Sequence, residues 1–286
     1  MSEEKRKDKI RVGVLRGGAG EHYASSLKKG GEIIFHIFEN LSDKYKVVDI
    51  LIDQDYIWHI NGVPINPSDL FHKIDITWNL SHPSFSNILE SLGISNIGMS
   101  SFSHALESNK NILREHVKNI NLQMPKFIIS PKSAREVLEK FPSPWIVKNY
   151  NEIRVVKTFD ELTKAINDND NLTVEEFIAG KVASVHSVPN FRNEEIYTFP
   201  LGNSFGNFSL AEKEKLTTLV KDLHQHIGAT HYLKSDFILT PRGKIYLLQI
   251  ESTPDLKPNS HFSEVCESVG AKTHHVVEHI LENISN

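Results

Sequence analysis

Cysteine is nearly absent: the 286 residues hold one, Cys266. A disulfide within the chain is therefore impossible, and zinc sites built on paired cysteines are excluded. Cys266 lies in an apolar-periodic stretch, which predicts a buried small side chain and not a nucleophile. No apolar run reaches the length that a membrane span needs. Residues Met1 to Lys9 are charged and lack an apolar core, so no secretory signal is expected and the expected compartment is the cytoplasm. Positive charge is not in excess either. A net charge of -4 argues against general nucleic-acid binding, yet leaves room for a nucleotide, which needs only local cations. The fifteen histidines form no His-Glu-x-x-His pattern and no Cys/His pair at zinc spacing. Internal repeats and low-complexity tracts are missing as well.

What remains is an ordinary globular composition, with 39% apolar and 24% charged residues. The length suits two or three subdomains. Ile10 to Leu15 is a β-rich run followed by Arg16-Gly17-Gly18-Ala19-Gly20, then a helical pattern from Ala24 to Asn40 and a second strand from Tyr45 to Ile52. A strand, Gly-rich turn, helix and strand in that order imply parallel pairing with a right-handed crossover. The turn alone says little about ligands, because tight strand-to-helix turns need glycine for steric reasons. Tyr56 to Ile65 predicts a hairpin around Asn61-Gly62. Further strands are expected at Asp75 to Leu80, Lys126 to Ser130, Trp145 to Lys148, Arg154 to Lys157, Leu172 to Ile178, Ala183 to Val188 and Glu195 to Pro200. Helices are expected at Phe85 to Leu92, Ser103 to Asn119, Ala134 to Phe141, Asp160 to Asn167, Leu210 to Ile227 and Thr273 to Ile284. Ser209 and Glu212 form a capping box for the helix that Gly228 stops.

The C-terminal hairpin carries the strongest chemical signal. Ser235 to Thr240 and Lys244 to Glu251 flank the tight turn Pro241-Arg242-Gly243. Thr240 can pair with Lys244 or Ile245 across the turn, and the Ile245 register sets Asp236 against Gln249 and Lys234 against Glu251. Alternation then puts those four on one face, with Phe237, Leu239, Tyr246 and Leu248 on the other. Two carboxylates, an amide and an ammonium at the open end of a hairpin suit a hard cation that also holds phosphate oxygens. A wet sheet face with a cross-strand ion pair is the competing reading.

Leu247-Leu248-Gln249-Ile250-Glu251-Ser252-Thr253-Pro254 resembles the metal-binding strand of the D-alanine–D-alanine ligase family, and Lys234-Ser235-Asp236-Phe237 resembles the strand paired with it. Other segments match in chain order: Ile10 to Leu27, Leu92 to Gly98, His104 to Lys110, Val147-Lys148 and Val174 to Gly180. The resemblance covers nearly the whole chain. It implies an α/β (α+β) ATP-grasp fold with an N-terminal Rossmann-like parallel-sheet domain. The expected divisions are an N-terminal substrate domain at 1–100, a central subdomain at 101–180 and a C-terminal subdomain with the metal and substrate site at 181–286. The implied activity is ATP-dependent ligation of two amino acids through an acyl phosphate, of the peptidoglycan-precursor type. The resemblance puts Asp236, Gln249 and Glu251 on Mg²⁺ (or Mn²⁺), and Lys110 and Lys148 on the phosphates of ATP. The segment Glu175, Glu176, Phe177 and Ile178 falls on the adenine, Lys234 on the transferring phosphate and Ser260 on the acceptor's carboxylate. His22, or Glu21 beside it, takes the place of the family's N-terminal glutamate. The implied partners are small-molecule amino acids, with neither nucleic acid nor membrane, and a homodimer is compatible with the likeness.

The chain departs from the family at several points. Asn149 to Ile153 replaces a Gly/Ser-rich phosphate loop, and Leu201 to Ser209 replaces a longer lid. Ser81 to Ser84 shortens a further loop, Val182 stands for a ribose-binding glutamate, and Asp255 stands for a glycine. Two readings follow: a minimal active ligase, or a non-catalytic relative that binds nucleotide or a partner. The acidic hairpin favours the first and the short loops favour the second.

Overall fold

The computed structural model describes residues 9–20, 22–98, 100–149, 152–169, 171–201 and 207–285. The chain opens with β1 (Ile10–Gly17), α1 (Tyr23–Asn40), β2 (Tyr45–Ile52), β3 (Trp58–Ile60) and β4 (Val63–Ile65). After a 3-10 turn at Pro67–His72 come β5 (Ile76–Asn79), α2 (Ser84–Ser91) and β6 (Ser95–Ile97). These strands form a sheet of order β4-β3-β2-β1-β5-β6. As expected from the crossover, β1 pairs in parallel with both β2 and β5, and β5 with β6. Asn61 and Gly62 both take positive φ, which supplies the twist a two-residue hairpin needs.

Alternation along β1 splits its side chains between two cores. Val12 and Val14 join Ile33 and Ile37 of α1, while Leu15 packs with Ile50, Ile52, Trp58, Leu70 and Leu89 on the opposite face. The Gly-rich turn is required by crowding. Gly17 has φ +93°, and a Cβ there would lie 2.1 Å from the carbonyl oxygen of Ile52.

The middle of the chain holds α3 (Ser101–Ser108), α4 (Lys110–Val117), β7 (Phe127–Ile129), α5 (Ala134–Lys140), β8 (Trp145–Lys148), β9 (Ile153–Val156), α6 (Phe159–Asn167) and β10 (Thr173–Glu176). The single helix expected over Ser103 to Asn119 is thus two helices. Asn109 adopts extended backbone, and its side-chain oxygen accepts from the backbone N–H of Asn111 and Ile112. That local bond competes with helix propagation and restarts it as a cap. The second sheet has order β7-β10-β8-β9, with antiparallel pairing throughout, and α5 and α6 cover one face through Val137, Leu162 and Ala165.

The last third contains β11 (Lys181–Pro189), β12 (Ile196–Thr198), α7 (Leu210–Ile227), β13 (Leu233–Leu239), β14 (Ile245–Glu251), α8 (His261–Ser268) and α9 (Thr273–Ser285). The third sheet runs β12-β11-β13-β14, all antiparallel. The capping box at Ser209 and Glu212 and the left-handed stop at Gly228 form as expected. Helix α8 was not anticipated, and Ser260 is its N-cap. Cys266 on α8 is buried, and desolvation pushes its thiol up to about 12, as suits a core residue. Helices α8 and α9 do not stay with the third sheet alone. Phe262, Val276, Val277, Ile280 and Leu281 pack in one core with Val12, Ile37, Trp78 and Ile97 of the first.

Candidate active site

Two charged clusters and the cavity between three parts of the chain define the site. The first cluster lies on the second sheet. Lys110 opens α4, where the Asn109 cap fixes the start of the helix, and Lys148 ends β8. Both reach Glu175 on β10. Lys110 Nζ pairs with Glu175 Oε1, and Lys148 Nζ lies 2.8 Å from Glu175 Oε2. Burial works against ionising Glu175, but the two ammoniums outweigh it and hold the carboxyl below its ordinary range. Burial, with Lys148 nearby, lowers the Lys110 ammonium despite Glu175. The next residue, Glu176, accepts the Lys126 backbone N–H at 3.2 Å. Phe177 is exposed, and its N–H donates to the carbonyl of Pro144 at 3.4 Å. Ile178 is half-buried beside it.

The second cluster sits at the open end of the β13–β14 hairpin. Lys234 pairs with Glu251 and Asp236 with Gln249, in the register expected from sequence. A β-bulge follows between Asp236 and Phe237, and nearer the turn Phe237 pairs with Leu247 and Leu239 with Ile245. The bulge inserts one extra residue, so alternation on β14 reverses there. Ile245 and Leu247 therefore enter the core, where Tyr246 and Leu248 were expected. The four polar residues stay together. Lys234 Nζ is 2.9 Å from Glu251 Oε1 and 3.2 Å from Asp236 Oδ2. Gln249 Nε2 donates to Asp236 Oδ2 at 2.8 Å, and Ser184 Oγ donates to Asp236 Oδ1. Burial disfavours the Lys234 ammonium, but Asp236 and Glu251 more than offset it and raise it above its ordinary value.

These donors fit a divalent cation of the Mg²⁺ type. Asp236 and Glu251 stand close enough for one ammonium to touch both, and each offers hard carboxylate oxygen. A half-turn of the Gln249 amide adds a neutral oxygen.

Between the clusters lies a cavity of about 360 Å³. Lys110, Gln249 and Glu251 line it, together with the Gly17-Gly18-Ala19 turn of the first sheet. His22 lines it too, whereas Glu21 lies outside the described residues. His22 and His82 flank His104, with ring centroids 6.4 and 5.5 Å from it. Burial first, and then the two neighbouring imidazoles, lower the His104 pKa. Ser260 is differently engaged: its hydroxyl accepts the Ser263 N–H and donates to the carbonyl of Asp255 at 2.9 Å. Where the family's phosphate loop was expected, Lys148 pairs with Ile153 and the Glu152 N–H donates to Asn149 Oδ1 at 2.8 Å. Tyr150 and Asn151 within it, and residues 202–206 of the expected lid, lie outside the described residues.

Sequence reasoning missed Glu107. This residue of α3 accepts both the backbone N–H of Ser252, at 3.1 Å, and its hydroxyl, at 2.7 Å. Burial, opposed by those hydrogen bonds, raises its carboxyl above the ordinary value. Nothing in the local sequence marks it, because its partner stands 145 residues away.

Comparison with known proteins agrees with this arrangement. Residues 155–282 match the family model described as "D-ala D-ala ligase C-terminus". The D-alanine–D-alanine ligase of Clostridium botulinum (strain Alaska E43 / Type E3) is 24% identical, covering 96% of this chain and 98% of the relative. That of Geobacter sulfurreducens is also 24% identical, covering 95% and 93%. Among solved structures, D-alanyl-alanine synthetase A from Vibrio cholerae superposes with a TM-score of 0.75 at 16% identity, covering 96% of this chain and 98% of that one. D-alanine–D-alanine ligase from Bacillus anthracis complexed with ATP gives 0.72 at 19% identity, covering 96% and 97%.

Proposed function

We propose that the chain is a member of the D-alanine–D-alanine ligase family of ATP-grasp proteins and an ATP-dependent ligase joining two amino acids, of the D-alanyl-D-alanine and peptidoglycan-precursor type; the match of residues 155–282 to that family's C-terminal model and the likeness along nearly the whole chain to its relatives support it. The observation that carries the proposal is a shared cavity. Lys110, which meets Lys148 on Glu175, lines the same space as Gln249 and Glu251 of the acidic hairpin. Cations for a triphosphate and oxygens for its counter-ion thus converge on one volume.

The chemistry has two transfers. A carboxylate oxygen of the first amino acid attacks the γ-phosphorus of ATP, and the bond to the bridging oxygen breaks, leaving ADP. The amine of the second amino acid then attacks the acyl carbon, a proton leaves the nitrogen, and phosphate departs with the electrons of the C–O bond. Lys110 and Lys148 neutralise the negative charge of the bound phosphates. Lys234, between Asp236 and Glu251, faces the phosphoryl group in transit. Asp236, Gln249 and Glu251 would hold Mg²⁺, which when bound spreads charge on the phosphate oxygens. Glu175 to Ile178 form the edge against which the adenine lies, and the first sheet's turn with His22 closes the amino-acid side. Ser260 reaches the acceptor's carboxylate by giving up its bond to Asp255. Use of ATP suits a cytoplasmic protein, and a homodimer is consistent with it.

The test is ADP release from ATP and Mg²⁺ with D-alanine, and with other D- and L-amino acids. Amino-acid-dependent release with a dipeptide product is the expected result. Calorimetric ATP binding without release in any mixture would select the non-catalytic reading, and no ATP binding at all would remove both.

A further inference from the structure

Glu107 points into the amino-acid side of the cavity without a cation of its own. It is the next-to-last residue of α3, and it shares the cavity with His22, His104, Lys110 and Glu251. Both of its hydrogen bonds, from the N–H and hydroxyl of Ser252, go to Oε2. Among the described residues Oε1 accepts none, and no lysine, arginine or histidine forms an ion pair with it. Lys29, on the same cavity, acts on it without forming an ion pair, so a carboxylate hydrogen-bonded by neutral donors alone gains when a cation comes into contact.

The rest of the cavity narrows what that cation is. Of its described lining residues only Glu107 and Glu251 are carboxylates, and Glu251 is already held by Lys234 at 2.9 Å. His22, His82 and His104 line the same cavity and present no anion, and neither do Lys29 and Lys110. A divalent cation takes about six oxygen ligands, and the place proposed for it in this cavity is the hairpin with Asp236, Gln249 and Glu251. A primary ammonium needs less: one carboxylate oxygen, with neighbouring acceptors for its other protons. Ser252 directly follows Glu251, so Glu107 is tied by its partner to the end of the acidic hairpin, where the reacting carboxylate must lie.

We infer that Glu107 receives the ammonium of an amino-acid substrate through Oε1, and so selects amino acids over the matching hydroxy acids. The inference rests on the ligase reading for the identity of the ligand and adds a specificity residue to it.

Direct binding tests it apart from turnover. The full chain is titrated calorimetrically with D-alanine and with D-lactate, which carries a hydroxyl in place of the ammonium. The wild type is expected to prefer D-alanine at least about tenfold, the range a charge-assisted hydrogen bond supplies. Glu107→Gln keeps the acceptor for Ser252 and should erase that preference. Glu107→Asp, with charge retained and reach shortened, should fall between, and serves if the glutamine variant does not fold. A wild-type ratio near one overturns the inference without any variant. So does a preference that survives in Glu107→Gln, or a Glu107→Gln protein whose Mg²⁺ requirement moves instead. Selective binding of D-alanine with no ADP release sinks the ligase reading and leaves Glu107 in its role.

Discussion

Glu175→Gln should destabilise the unliganded protein by about 2–3 kcal/mol. Removing one partner from a buried ion pair typically costs about 3–5 kcal/mol, because the other charge is stranded. Here two ammoniums are stranded, and Lys110 and Lys148 already repel one another across the carboxylate. Against that, their side chains keep 28% and 27% of their surface exposed, so both can turn toward water, which brings the figure down. A loss of this size lowers the melting temperature by roughly 5–10 °C in a chain of this class. The sign with pH follows from the depressed Glu175 carboxyl, whose ordinary value is 4.5. Its contribution is complete above that value and is lost as pH falls through the lower folded-state one, so wild type and variant should converge in acid. The assay is urea unfolding of wild type, Glu175→Gln, Lys110→Met and the double variant at pH 7 and in acid. A coupling of about 1–3 kcal/mol between the two positions is expected at pH 7. Equal stability of wild type and Glu175→Gln, or a coupling under about 0.5 kcal/mol, would refute the reasoning.

Asp236→Asn and Glu251→Gln should each reduce amino-acid-dependent ADP release by about a hundredfold or more, since the proposed function gives both carboxylates to the metal beside the transferring phosphate; unchanged turnover in either places the metal elsewhere. Gly17→Ala should cost more than about 3 kcal/mol, because its Cβ would sit 2.1 Å from backbone oxygen at a φ of +93°, and thermal melting reads the loss. His224, 2% exposed and bonded through Nδ1 to Ser187, has its imidazole lowered to about 4 by burial. Its unfolded form binds a proton first, so stability present above about pH 6.5 should fall by up to about 3 kcal/mol as pH drops toward 4. His224→Gln should flatten that limb of a pH–denaturation series.

Local rules written in a few adjacent residues were legible. The Asn61-Gly62 turn, the Ser209 capping box and the parallel pairing of the first sheet follow from positive φ, cap chemistry and crossover geometry. The hairpin shows where this ends. Both registers considered for it, Thr240 facing Ile245 or Lys244, occur on either side of the bulge at Asp236. Alternation predicts a continuous ladder, and only packing of Leu247 against the third sheet's core selects the slip. Asn109 is a similar case: its asparagine was visible, but spacing alone did not say whether its side chain caps a new helix, as it does through Asn111 and Ile112, or rides a continuous one. The lysines and acids of the site were found through motif order, whereas Glu107 and the histidine wall arise from contacts between distant segments that no spacing encodes.

The shared core of the first sheet and α9 has a consequence for birth of the chain on the ribosome. Val12, Val14, Trp78 and Ile97 emerge long before Val276, Ile280 and Leu281, which cover them. At ordinary elongation rates of about 5–20 residues per second, that gap lasts on the order of ten to thirty-five seconds. During it the nascent sheet bares an oily flank, an invitation to chaperones or to a neighbouring nascent copy. Its closing act is the docking of α9.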